Sequence, residues 1–121
     1  MTDTTGRKRY DLEPRTRAFA KRVRSFVRRL PRTFSNAKDV EQLVRSSGSV
    51  GANYIEANNA LGKKDFLMHI RISLKEAKES GYWLDLLNVG ESRDLLKERD
   101  ALAGEATELM KIFGAILRKS L

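Results

Sequence analysis

No cysteine occurs in the 121 residues, which excludes disulfides, thiolate nucleophiles and zinc sites built on cysteine. Histidine occurs once, at His69, and one imidazole cannot supply the two Glu-x-x-His motifs of a di-iron bundle. Long apolar runs are missing as well. No stretch approaches the ~18 residues of a membrane span, and no apolar segment follows the charges of residues 1–9 to form a signal peptide. These absences lead us to expect a soluble, cytoplasmic chain without cofactor, metal or membrane partner. Proline is confined to Pro14 and Pro31, and between Arg15 and Arg32 acids are missing altogether.

That acid-free segment carries eight bases, Arg15, Arg17, Lys21, Arg22, Arg24, Arg28, Arg29 and Arg32. Residues 1–50 hold 13 Lys/Arg against 5 Asp/Glu, whereas residues 51–121 hold 11 of each, so the whole net charge of +8 lies in the first part. Charge concentrated on one element raises the local concentration of polyanions and steers their approach.

Four segments repeat apolar residues at helical spacing. The first runs from about Pro14 to Leu30 on Phe19, Val23, Phe26, Val27 and Leu30. On its wheel Arg17, Lys21, Arg24 and Arg28 lie opposite the stripe, while Arg15, Arg22 and Arg29 follow its edge, where their aliphatic stems can cover apolar neighbours. A second helix is expected over about 37–60, capped by Ser35 or Asn36, with Asp39 near its positive end. Its middle, Ser46-Ser-Gly-Ser-Val-Gly-Ala, is small for a helix. Gly48 and Gly51 each cost up to ~1 kcal/mol there, so either a neighbouring backbone comes close in compensation or the segment is a tight loop. A third helix is expected over about 63–88, with Lys75, Glu76, Lys78 and Glu79 as solvated charges. The fourth runs over about 93–119 behind a Ser92 cap, on a near-heptad seam of Leu95, Leu102, Ala106, Leu109, Phe113 and Ile116. Nowhere is strand-like alternation persuasive. The expected fold is all-α, an antiparallel up-down-up-down four-helix bundle of residues 13–121 behind a disordered basic tail of residues 1–12.

The blocks Leu43-Val-Arg-Ser-Ser-Gly-Ser-Val-Gly-Ala-Asn-Tyr-Ile-Glu-Ala, Lys63-Lys-Asp-Phe and Ile72-Ser-Leu-Lys-Glu-Ala-Lys-Glu-Ser-Gly-Tyr-Trp-Leu-Asp-Leu-Leu resemble the bacterial four-helix-bundle family of proteins encoded in 23S ribosomal RNA intervening sequences, also labelled S23 ribosomal protein. The resemblance spans most of residues 12–118. It implies a small antiparallel bundle assembling as a homopentameric ring, with no established enzymatic activity. It also suggests kinship with accessory proteins of diversity-generating retroelements, which bind nucleic acid and a reverse transcriptase.

The eight bases of the first helix are therefore candidates for contacting the phosphates of DNA or RNA; seven of them are Arg, whose planar donors suit phosphate. No zinc finger, RNP aromatic signature or helix-turn-helix reads base sequence. The alternative is a scaffold that presents the basic helix to an acidic protein partner. Enzyme chemistry has thin candidates. His69 is expected on a helix surface or interface, Glu56 to pair with Arg45, Lys64 or a neighbouring subunit, and Gly48-Ser-Val-Gly-Ala lacks the Lys-Ser/Thr ending of a phosphate loop. Tyr54, Tyr82 and Trp83 are expected to be core or subunit contacts, with Tyr82 and Trp83 favoured for oligomerisation.

Overall fold

A computed structural model of the chain describes residues 12–121. It contains four helices, α1 (Leu12–Val27), α2 (Phe34–Asn58), α3 (Lys63–Leu86) and α4 (Arg93–Ser120), with no strand among the described residues. Residues 1–11 of the expected tail lie outside the described residues. Leu12, assigned by sequence to that tail, instead opens α1 and is buried.

Cross-helix pairings run in opposite chain directions at each side of the bundle. On α1 and α4, Arg15 meets Glu105 and Arg22 meets Glu98. On α2 and α3, Ser46 meets Ser80 and Asn53 meets His69. Thr16 packs on Gly51 while Glu13 accepts a bond from Asn58, and Leu74 lies near Gly114 while Ala106 lies near Gly81. Each helix packs against two others, and α1 and α3 occupy opposite corners, as do α2 and α4. The four stripes meet in one core with Phe19, Phe26, Leu43, Ile70, Leu84, Leu102, Leu109 and Phe113 fully buried. Such side chains contribute about 1.5–3 kcal/mol each when removed from water.

The small segment of α2 is continuous helix, not a tight loop. A Cβ on Gly51 would stand 2.8 Å from Thr16 Oγ1 and 3.1 Å from Thr16 Cβ, so the missing side chain is what lets α1 approach. Thr16 turns its hydroxyl back to donate to the Leu12 carbonyl at 2.7 Å, which satisfies that buried donor. Serines complete the α2–α3 seam. Ser46 and Ser80 share a bond of 2.9 Å, and Ser73 donates to the Val50 carbonyl at 2.9 Å.

The ends of the elements depart from sequence in three places. α1 stops at Val27, because Pro31 disfavours helical geometry at Leu30, and the chain leaves through tightened turns at Arg29 and Leu30. Thr33, not Ser35 or Asn36, caps α2 by accepting from the Asn36 N–H at 3.1 Å. Asp39 consequently lies beyond the first turn. Asn36 is buried and used elsewhere: its amide donates to the carbonyls of Pro31 at 3.0 Å and Asn88 at 2.8 Å, and accepts from the Asn88 N–H at 2.9 Å. One side chain thereby joins the α1–α2 and α3–α4 connections. Ser92 caps α4 as expected, accepting from Leu95 N–H at 3.2 Å.

Candidate nucleic-acid interface

The basic segment divides along the line its wheel suggests. The edge row turns toward α4, where acids await it. Arg15 makes a two-pronged bond to Glu105 at 2.9 and 2.8 Å, and Arg22 bonds Glu98 at 2.9 Å. Two of the eight candidate phosphate ligands, Arg15 and Arg22, are thus engaged by the chain's own carboxylates. Arg29 belongs to this row by wheel position, but it follows the end of α1, is exposed and has no ion pair among the described residues.

Arg17, Lys21, Arg24 and Arg28 are all exposed on the side facing away from the core. None has an acid within ion-pair distance among the described residues. Arg24 lies back on the bundle, donating to the Ala20 carbonyl at 3.1 Å, with Nη2 3.4 Å from the place a Gly48 Cβ would occupy. Gly48 therefore gives that guanidinium a flat bed in the α1–α2 groove. Within α1, Arg17, Lys21 and Arg24 are separated by about 4.5–6 Å of helix rise, a spacing that sets cations side by side along one backbone, and Arg28 follows just past the helix end.

Past the end of α1, Arg28 and Arg32 flank a cleft of about 420 Å³ whose floor is Val27, Leu30, Pro31 and the first turn of α2. Phe34 stands beside it, 82% exposed, with the Lys38 ammonium 5.7 Å above its ring. Sequence reasoning missed this aromatic because it lies in a polar connection, off every stripe. Its signal was its isolation: an aromatic two residues after Arg32 with no apolar neighbour to pack on. An exposed ring among bases can stack a nucleobase.

The aromatic candidates separate. Tyr54 is buried and tilted against Phe113, ring centroids 5.9 Å apart, so it is a core residue. Tyr82 is 58% exposed and meets Trp83 edge-on at 5.0 Å. Trp83 is half-buried against the core, and its buried indole N–H meets no acceptor among the described residues.

Two acid expectations are also corrected. Glu56 is exposed and makes no ion pair among the described residues, because Arg45 reaches across the α2–α3 groove to Glu76 and Glu79 instead, each at 3.0 Å. Glu76, expected in solvent, is 6% exposed. The hydrogen bond to Glu79 raises the Arg45 pKa, partial burial opposes it, and the charge of Glu76 adds to the rise. For a base raised in the folded state, the stabilisation is present below the unfolded pKa and is lost only in strong alkali. His69 lies at the α2–α3 interface, as one of the two sequence alternatives had it, with Nδ1 3.0 Å from Asn53 Oδ1 and Nε2 3.4 Å from Asp65.

Among the described residues, no three His, Cys, Asp or Glu side chains converge as a metal site, and no helix is long and apolar enough to cross a membrane. The geometry defines a class, a small all-α bundle whose first helix carries an outward basic row that meets no acid among the described residues. More specifically, the chain belongs to the 23S rRNA-intervening sequence protein family, whose profile matches residues 9–115. It is similar to a solved protein of unknown function from the S23 ribosomal protein family of Bacteroides thetaiotaomicron VPI-5482. The two share 30% identity, with a TM-score of 0.73, over 88% of this chain and 98% of that one. No curated protein matches the chain.

Proposed function

We propose that this protein is a non-enzymatic nucleic-acid-binding protein that holds phosphate through Arg17, Lys21, Arg24 and Arg28, with Arg29, Arg32 and Phe34 extending the surface past α1. The observation that carries this is the sorting of charge. Glu98 and Glu105 neutralise the edge arginines within the same molecule, whereas the outward row has no acid partner among the described residues and remains available. Phosphate contacts dominate here, because no base-reading motif is present, so binding is weakly sequence-selective and steeply salt-dependent.

Copies of the chain multiply this field. Exposed Tyr82 and Leu86 on α3 give an apolar surface for self-association, and the homopentameric ring suggested by family resemblance sets several basic helices around one axis. A reverse transcriptase is one candidate protein partner on the same grounds. Fluorescence anisotropy with labelled DNA and RNA at two salt concentrations tests the proposal. Replacing Arg17, Lys21, Arg24 and Arg28 with Gln should reduce the salt slope by about 0.7–0.9 for each phosphate no longer held. Unchanged affinity in that variant removes the row from the function. An acidic protein that binds the wild-type chain while nucleic acid does not would favour the scaffold.

A further inference from the structure

Residues 51–121 are neutral by count, yet among the described residues only Arg99 with Asp100, at 3.6 Å, and His69 with Asp65 pair within that segment. Of the 11 acids there, Glu76 and Glu79 are taken by Arg45, and Glu98 and Glu105 by Arg22 and Arg15, all bases from the first 50 residues. Asp65 is occupied by His69. The bases of α3 and α4 are left without them.

Eight of their eleven bases gather at one end of the α3–α4 pair; Arg93, Lys97 and Arg99 lie at the other, at the start of α4. Lys63, Lys64, Arg71, Lys75 and Lys78 lie on the first two-thirds of α3, and antiparallel packing sets them beside residues 109–121, which carry Lys111, Arg118 and Lys119 and no acidic side chain. All eight are exposed and make no ion pair among the described residues. Arg71, Lys75 and Lys78 repeat at helical spacing along one face. Arg118 Nη1 lies 3.4 Å from the place of a Gly114 Cβ, which is itself 3.7 Å from Leu74 of α3, so this guanidinium lies at the groove between the helices. Lys78 borders the same groove beside Gly81, Ala103 and Thr107, with Asp85 at its far end. Lys63, Lys64 and Arg71, with Asp65 among them, surround a shallow hollow of about 590 Å³ at its start.

We infer that this face is a second nucleic-acid surface, so that one bundle holds two phosphate backbones at once; the inference rests on the nucleic-acid function proposed for α1. Because α3 stands at the corner opposite α1, the two cationic faces look away from each other. With helices roughly 10 Å across, their separation exceeds a Debye length of about 10 Å at moderate salt, and each face attracts its own polyanion.

Energy transfer between two short duplexes, one labelled with a donor and one with an acceptor, tests this with the full chain at low salt, and a parallel arm uses single-stranded RNA. The wild-type protein should bring donor and acceptor together. The variant R71Q/K75Q/K78Q/R118Q should still bind a single duplex by anisotropy but lose transfer to background, and K63Q/K64Q/K111Q should weaken it in the same direction. Circular dichroism verifies that both variants remain helical. Full transfer in the helical variants overturns the second surface, including the case in which an oligomer bridges through α1 alone. Loss of binding to anionic vesicles with no change in transfer also overturns it, in favour of a lipid surface. Failure of the wild-type chain to bind either nucleic acid sinks the α1 function instead, and the second surface with it.

Discussion

Replacing Gly51 with Ala sets two effects against each other at one atom. Within a helix, Gly→Ala is worth about 1 kcal/mol of stabilisation when the methyl meets nothing. Here the methyl would stand 2.8 Å from Thr16 Oγ1 and 3.1 Å from Thr16 Cβ, where carbon contacts are comfortable only near ~3.5–4.0 Å. Thr16 cannot swing aside freely, because its hydroxyl is bonded to the carbonyls of Leu12 at 2.7 Å and Glu13 at 3.2 Å. Overpacking of this kind costs about 1–3 kcal/mol, so we predict a net destabilisation of up to about 2 kcal/mol. Urea unfolding followed by circular dichroism measures it. Two comparisons make the reasoning testable. Gly104 lies exposed in α4 with nothing within 4 Å of its added Cβ, so Gly104→Ala should stabilise by up to about 1 kcal/mol. In a Thr16→Ala background the Oγ1 contact is gone while the Cβ contact at 3.1 Å stays, so Gly51→Ala should lose only part of its penalty, a coupling of about 1 kcal/mol. Stabilisation by Gly51→Ala in the wild-type chain, equal to that at Gly104, would refute the close approach of α1 and α2.

Arg45→Met removes the cation that faces buried Glu76 and should destabilise by about 1–2 kcal/mol, less than the loss at a fully enclosed pair because Arg45 is half in water. Adding Glu76→Gln should restore part of the loss in chemical denaturation, and strict additivity would rule out the coupling. Glu98→Gln with Glu105→Gln releases Arg22 and Arg15 at a stability cost of about 0.2–1 kcal/mol each. Anisotropy should then show tighter low-salt binding and a salt slope steeper by up to ~0.9 per released base, and an unaltered slope counts against competition between carboxylate and phosphate. Tyr82→Glu places a charge on an exposed aromatic position without entering the core, so it should lower the assembled mass in light scattering while leaving helicity intact.

Periodicity makes the four helices legible, since each carries a stripe long enough to fix its face before any partner is known. The small segment around Gly48 and Gly51 is only half legible: the sequence leaves a close approach and a tight loop both open, and the contact of Thr16 on Gly51 decides for the helix. What periodicity does not carry is the register between helices distant in sequence. Glu76 reads as a solvated charge because its neighbours Lys75, Lys78 and Glu79 are polar, and only the approach of Arg45 accounts for its burial. The engagement of Arg15 and Arg22 depends on acids about 76 to 90 residues away in the chain, at Glu98 and Glu105. The wheel predicts that the edge row borders a packing surface but cannot name what lies there. Tyr54 is ambiguous between core and interface in the sequence, and the ring of Phe113 beside it decides for the core.

The bond exchange between Asn36 and Asn88 has a consequence for the cationic end of α1. An amide that both gives to and takes from one backbone residue reproduces a rung of a β-ladder between the first turn of α2 and the α3–α4 connection. The Asn88 N–H, though in a connection, is thereby tied to the interior and should exchange with solvent as slowly as helical amides do. The same side chain grips the Pro31 carbonyl, next to Arg32 and three residues before Phe34. The loop that displays them is ordered before any ligand arrives, so binding there forfeits little conformational freedom.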